Sequence, residues 1–167
     1  MRGFVDRCIF CLKLNNFIDL YIFMRVDSRK SKFDSSHLVV FLEEDDEQYA
    51  AMKKMFNKHG LAFKHGKTIV MDWTTIQKEG YGDDSFVTFI ESHELGHTVL
   101  GHTVTKKAFE AEADYIGVLL CGARRFTKSE TVGKQYFKRR NGISFEKYAK
   151  ENDKRLRQKL SKTKYRK

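Results

Sequence analysis

The chain of 167 residues contains no proline and only three cysteines, Cys8, Cys11 and Cys121. So few cysteines exclude a small secreted domain that is held together by disulfides, and they favour reduced thiols. Cys8 and Cys11 form a CxxC motif, but no second CxxC follows to complete a four-cysteine zinc site. We therefore expect a cytoplasmic protein whose length suffices to bury a hydrophobic core.

Long apolar segments are missing as well. The apolar stretch at residues 17–24 is interrupted by Asp19, whereas a membrane-spanning helix needs about 20 apolar residues. No small-residue cleavage site follows this stretch, so neither a transmembrane segment nor a secretory signal is predicted. Residues 1–23 differ in character from the rest of the chain, and the sequence leaves open whether they belong to the folded protein.

Positive charge is concentrated near the C-terminus. The formal net charge is +10, but residues 124–167 carry net +13 and the remainder carries net −3. Such a segment is suited to nucleic acid or another polyanion, and it is also typical of a solvated helical surface. We predict three parts: an uncertain N-terminal segment over 1–23, a folded domain over 24–123, and a basic helical extension over 124–167.

Hydrophobic periodicity predicts an α+β fold. Residues 38–42 have the composition of a buried strand, and a helix is expected to follow to about residue 58, with the acidic residues 43–47 in its first turn. Residues 61–72 are predicted to form a hairpin that turns at His65 and Gly66. Further helices are predicted over about 85–100, 105–122, 129–139 and 144–160.

Residues 93–97 read HELGH, an HExxH motif in the predicted helix 85–100. His93 and His97 are four residues apart, so both imidazoles lie on one helical face and can bind the same ion. Glu94 lies one position round the helix, where it can reach a water on the ion but is poorly placed to bind the ion itself. The motif predicts a zinc site with His93 and His97 as ligands and Glu94 as the catalytic base.

A catalytic zinc site typically has three protein ligands, and candidates for the third follow in residues 109–114, FEAEAD. Glu110 and Asp114 share one face of a helix, so Glu110 can bind zinc while Asp114 accepts a hydrogen bond from a ligand histidine. Glu112 points to another side of that helix and stays open as the alternative ligand. His102 stays open as a ligand, as a transition-state donor, or as a residue that packs beside the site.

The segments HELGHTVLGH at 93–102 and EAEAD at 110–114 resemble those of the gluzincin metallopeptidases. The short interval between them is similar to that of ImmA/IrrE-type peptidases, and residues 110–117 also resemble the ExEADxxG motif of Oma1/Ste24-like membrane peptidases, the second choice. The resemblance spans residues 85–122. It implies a small zincin-like domain in which short strands and a hairpin pack on the HExxH helix and on a Glu-bearing second helix, with one zinc ion per chain.

The function expected from these features is that of a zinc-dependent metalloendopeptidase. A zinc-activated water would attack a peptide bond of a protein or peptide substrate, with Glu94 as the general base. By analogy with other peptide-binding clefts, the hairpin at residues 61–72, and especially residues 67–72, is expected to offer an edge strand to the substrate. A different class of function also stays open: a nucleic-acid-associated regulatory protein whose zinc site is structural and whose basic segment binds the nucleic acid.

Overall fold

The computed structural model describes residues 10–12, 20–22, 27–79, 83–103 and 106–166. Within them the fold is α+β, with six α-helices, a four-stranded mixed sheet and a two-stranded ribbon. The strands are β1 (Phe10–Leu12), β2 (Leu20–Ile22), β3 (Asp27–Lys30), β4 (Leu38–Leu42), β5 (Ala62–His65) and β6 (Thr68–Asp72). The helices are α1 (Tyr49–His59), α2 (Trp73–Lys78), α3 (Asp84–Leu100), α4 (Lys107–Ala123), α5 (Thr127–Asn141) and α6 (Phe145–Leu160).

The chain divides into two compact units, one of residues 1–31 and 35–75 and the other of residues 32–34 and 76–167. These boundaries differ from the division at residues 23 and 123 that the sequence predicted. The ribbon β1–β2 belongs to the first unit, and the rest of the predicted segment 1–23, including Cys8, lies outside the described residues. In the described part of the chain, every helix is too short or too polar to cross a membrane.

The first unit contains the mixed sheet, in the order β3-β4-β6-β5. Strands β4 and β6 run parallel, and the other two pairs are antiparallel. The predicted hairpin is confirmed, since β5 and β6 pair across a turn at Gly66, whose φ is +57°. Helix α1 packs on the sheet through a cluster of buried side chains: Val40, Leu42, Tyr49, Met52, Phe56, Phe63 and Val70.

The expectation that residues 67–72 form an edge strand is wrong. Strand β6 pairs with β4 on one side and with β5 on the other, so its backbone groups are already occupied within the sheet. A substrate strand adds to a free edge, and β6 has none. The edge strand of the hairpin is β5, at the end of the sheet, so strand addition to the hairpin stays a prediction for β5 and not for β6.

The acidic residues 43–47 do not lie in the first turn of a helix, as was expected. Helix α1 begins only at Tyr49 and has no acidic residue in its first turn. The run forms turns instead, in which the side chain of Asp46 accepts a hydrogen bond from the backbone N–H of Glu43 at 2.6 Å. Aspartate side chains favour such local bonds over helix, which explains the later start of α1.

The second unit consists mainly of α3, α4, α5 and α6, close to the four helices predicted there. Asp83 caps α3 by accepting a hydrogen bond from the backbone N–H of Phe86 at 2.8 Å, and Gly101, with a φ of +70°, ends it. Helices α5 and α6 pack against both α3 and α4. Phe137, Phe145 and Leu156 are buried, so the basic segment contributes an apolar side to the core of this unit.

Two glycines let α3 and α4 lie close together. A Cβ atom on Gly96 would lie 2.7 Å from the carbonyl oxygen of Ala113, and one on Gly117 would lie 3.0 Å from the backbone nitrogen of His93. The first distance is too short for any residue other than glycine at position 96. The spacing of these helices matters for function, because the residues of the HExxH motif lie on α3 and those of EAEAD on α4.

Gly96→Ala is expected to destabilise the protein by about 1–3 kcal/mol, the typical cost of overpacking a core. In an unconstrained helix the same change would stabilise by about 1 kcal/mol. The free energy of unfolding is measured by denaturant titration, with Thr98→Ala at an exposed position of α3 as the control. A Gly96→Ala protein as stable as the wild type would show that the two helices are not held at this distance.

Candidate metal centre

Three side chains converge where α3 faces the first turn of α4. The Nε2 atoms of His93 and His97 are 3.1 Å apart. The carboxylate of Glu110 spans both, with Oε2 3.4 Å from Nε2 of His93 and Oε1 3.5 Å from Nε2 of His97. Among the described residues this is the one group of three His, Cys, Asp or Glu side chains whose ligand atoms all lie within 4.8 Å of one another.

The donor atoms of this group fit a zinc ion. Nδ1 of His93 lies 2.7 Å from Oδ1 of Asp114, a carboxylate that can only accept, so Nδ1 carries a proton and Nε2 is the atom that presents a lone pair to the cluster once it is deprotonated. Two nitrogen lone pairs that face each other at 3.1 Å repel unless a proton or a metal cation lies near both. Two imidazole nitrogens and one carboxylate form a ligand set found in catalytic zinc sites.

The electrostatics of the group also favour a cation. Burial opposes a charge on His93, but its hydrogen bonds to Asp114 and Glu110 outweigh burial and raise its pKa to about 10. Burial likewise opposes ionisation of Glu110, and the hydrogen bonds from His93 and His97 nevertheless hold its pKa far below the ordinary value. The same carboxylates that favour a proton on the imidazole also favour a metal cation, which would displace that proton when it binds.

Glu94 lies beside the group but farther from it than Glu110. Its Oε1 atom is 3.9 Å from Nε2 of His93, and the side chain is buried. Burial raises the pKa of the Glu94 carboxyl, and the charges of His93 and His97 oppose that rise. A carboxylate with a raised pKa is a better proton acceptor, which suits the role of general base that its position in the motif predicts.

Asp114 is fully buried and lies behind His93, as the spacing of the EAEAD motif predicts. Besides the bond from His93, its carboxylate accepts a hydrogen bond from Nδ2 of Asn141 at 3.3 Å, and its Oδ1 lies 3.5 Å from Nη1 of Arg140. These contacts fix the carboxylate, and the carboxylate in turn fixes the imidazole of His93.

Glu112 and His102, which the sequence left open, do not contribute ligand atoms to the group. Glu112 is directed to another side of α4, where Oε2 lies 3.2 Å from Nε2 of His102 and Oε1 accepts from Nη2 of Arg155 at 2.7 Å. His102 lies behind His97, with the two Nδ1 atoms 3.0 Å apart. The structure therefore brings together His93, His97 and Glu110 and leaves Glu112 outside.

Sequence reasoning missed three side chains from the C-terminal helices. Arg140 donates to Oε2 of Glu110 at 2.7 Å, Asn141 contacts Asp114, and Arg155 contacts Glu112. These residues lie 27–43 positions along the chain from their partners, so no local spacing could reveal them. The available signal was charge: acidic residues in the middle of an apolar helix need partners, and the basic segment supplies them.

No protein-family model, no curated protein and no solved structure matches this chain. The interpretation of the site therefore depends on its own residues and on their geometry.

Proposed function

We propose that this chain is a zinc-dependent metalloendopeptidase of the gluzincin type, with a zincin-like domain and with zinc bound by His93, His97 and Glu110. The observation that carries the proposal is the convergence of these three ligand atoms within 4.8 Å of one another. The buried carboxylate of Glu94 beside them favours an enzyme over a structural zinc site, because a structural site has no use for a base. The short interval between HELGH and EAEAD favours the ImmA/IrrE-type branch.

In the proposed reaction each residue has one task. When bound, zinc would supply Lewis acidity to the reacting carbonyl and to water. The Glu94 carboxylate takes a proton from the attacking water, and the same oxygen then delivers that proton to the nitrogen of the leaving amine as the C–N bond breaks. Asp114 holds the proton of His93 on Nδ1, which keeps Nε2 free as a ligand. The products are a carboxyl group and an amine.

The gluzincin resemblance supports a protein or peptide as the substrate. An intracellular setting is part of the proposal, because the thiol of Cys121 is free and buried, as is usual in a reducing compartment.

The purified protein is expected to contain about one zinc ion per chain, and the double variant His93→Ala, His97→Ala should contain none. The reason is that two of the three proposed ligands are lost, and one carboxylate alone cannot retain zinc. Metal content is measured by atomic emission after gel filtration. His65→Ala, at a partly exposed histidine of strand β5, is the control and should keep its zinc. Zinc retained in full by the double variant would refute the site.

A second candidate function is binding of nucleic acid by the basic surface of α6. Lys147, Lys150 and Lys154 are exposed and spaced by three and four residues, so they lie along one face of the helix. Arg155 on the same helix is instead directed to Glu112. A regulatory protein of this kind would use the zinc site as a scaffold.

Replacing Lys147, Lys150 and Lys154 by Glu is expected to weaken binding to duplex DNA and to lower its salt dependence, because each lost phosphate contact reduces the slope of log K against log [salt] by about 0.9. Binding is measured by fluorescence anisotropy at several salt concentrations. Glu94→Gln is the control and should bind DNA normally. Deletion of residues 141–167 is a poorer test, because it also removes Asn141, which contacts Asp114, and Arg155, which contacts Glu112. Unchanged DNA binding in the triple variant would leave these lysines as a solvated surface.

A further inference from the structure

A chain of hydrogen-bonding groups extends from His97 away from the proposed metal position. Nδ1 of His97 lies 3.0 Å from Nδ1 of His102, and Nε2 of His102 lies 3.2 Å from Oε2 of Glu112. At its far end, Nη2 of Arg155 donates to Oε1 of Glu112 at 2.7 Å. This series of hydrogen bonds links α3, the residues that follow α3, α4 and α6.

The donor and acceptor chemistry of these groups determines which atom carries the proton in each hydrogen bond of the series. Arginine only donates and an ionised carboxylate only accepts, so the proton between His102 and Glu112 belongs to Nε2 of His102. If His97 is to offer its Nε2 lone pair to a metal, its own proton must be on Nδ1. That proton then points at Nδ1 of His102, which is free to accept it. In this arrangement the shared protons lie on Nδ1 of His97 and on Nε2 of His102, so the two rings have opposite tautomers.

Packing holds His102 in this arrangement. Its ring stacks on that of Phe109, with centroids 4.2 Å apart and an interplanar angle of 9°. Its side chain is only 5% exposed. Its backbone N–H bonds to the carbonyl of His97 at 3.0 Å, beyond the left-handed turn at Gly101. The imidazole is therefore fixed from the backbone and from one face of the ring.

We infer that His102 is a positioning residue that fixes the tautomer and the orientation of His97 and does not itself bind the metal. Glu112 and Arg155 orient His102 in turn. This inference rests on the proposed zinc site. His93 is held by a carboxylate directly, whereas His97 reaches its carboxylate through a second imidazole, so helix α6 takes part in ordering the site through Arg155.

Two substitutions distinguish positioning from packing. His102→Asn retains an acceptor near the position of Nδ1 but loses the aromatic ring, whereas His102→Phe retains a ring against Phe109 but loses the acceptor. We expect His102→Phe to lower zinc affinity by about 10- to 100-fold, the usual effect of losing a group that orients a ligand, and His102→Asn to lower it less. Affinity is measured by chelator competition, and folding is compared by thermal melting. The reverse order, at equal stability, would overturn the inference.

A second measurement does not depend on zinc. Nitrogen-15 NMR of the histidine rings in the full-length, metal-free protein reports which ring nitrogen of each histidine carries the proton. We expect the proton on Nδ1 of His97 and on Nε2 of His102, and we expect His102 to lose this preference in Glu112→Ala. A wild-type His102 with its proton on Nδ1 would overturn the inference. If the wild-type protein binds no zinc but has the expected tautomers, the proposed function fails while the hydrogen-bonded chain stands.

Discussion

Glu94→Gln is expected to lower the rate of peptide hydrolysis by about 10²–10⁴-fold, the usual contribution of a general base. The protein should keep its zinc and its fold, because the substitution changes a group 3.9 Å from Nε2 of His93 and leaves the three nearest donors in place. Glutamine has nearly the shape of glutamate but cannot accept the proton of water. Loss of rate without loss of metal is the signature of a base that is not a ligand.

The measurement is hydrolysis of a fluorogenic peptide library, with zinc content determined on the same preparation. Glu130→Gln is a matched control, since it makes the same chemical change on α5, where Glu130 pairs only with the nearby Lys134 among the ion pairs described. The control should hydrolyse peptides at the wild-type rate. If Glu94→Gln does so too, another group takes the proton from water, and the role proposed for Glu94 is wrong.

The helices of the second unit could be predicted because their signals are local. The spacing of Phe86, Phe89, Ile90 and His93 predicts the inward face of α3, and these side chains are buried within residues 86–96, which are buried throughout. Asp83 and Gly101 are typical start and stop residues and act as such. Helix packing then follows from small residues, since Gly96 and Gly117 admit the close approach of α3 and α4.

Strand β3 and helix α2 escaped prediction for different reasons. Strand β3 has the sequence DSRK, which has no strand-like composition, and its conformation comes from pairing with β4. Helix α2 did carry a signal: Asp72 precedes it and accepts hydrogen bonds from the backbone N–H and the hydroxyl of Thr75, at 2.9 and 2.7 Å. An aspartate before a short helix is a usual N-cap, so a local signal for α2 is present in the sequence.

The residues of the candidate site likewise fall into two groups, those that local sequence spacing predicts and those that it does not. The motif spacing was sufficient to predict which residues of α3 and α4 face each other, because four residues make about one helical turn. The partners from α5 and α6 depend on how those helices pack, and their basic residues look alike in sequence. Nothing local distinguishes Arg140, which bonds to Glu110, from Arg139 beside it. The tertiary contacts alone separate residues that order the site from those on the surface.

Glu110→Ala is expected to weaken zinc binding more than any other single carboxylate substitution in the EAEAD segment. Asp114→Ala should weaken it by about 10- to 100-fold, because it removes the group that orients His93 but no ligand. Glu112→Ala should have the smallest effect, since Glu112 acts on His97 only through His102. The order is determined by chelator competition, with Glu146→Ala at an exposed position of α6 as the control.

A different order of the three effects on zinc binding would show which assignment in the EAEAD segment is wrong. If Glu112→Ala proved the most damaging, the ligand would be Glu112, which on an ideal helix is rotated by about 200° from Glu110. Helix α4 would then have to be rotated relative to α3, and Asp114 would no longer face His93. Equal effects of all three substitutions would indicate general destabilisation of α4, which thermal melting would reveal as a common loss of stability.

Glu110 affects zinc binding in a second way, because its carboxylate also neutralises the positive charge of Arg140. Nη2 of Arg140 lies 2.7 Å from Oε2 of Glu110, so Glu110→Ala leaves a positive charge beside the metal position and disfavours zinc even if Glu110 is no ligand. The double variant Glu110→Ala, Arg140→Ala separates these roles. If Glu110 binds zinc, removing Arg140 restores little of the affinity, because the carboxylate ligand is still missing. Recovery to near wild-type affinity would instead mean that Glu110 serves to neutralise Arg140, and that two histidines alone hold the metal.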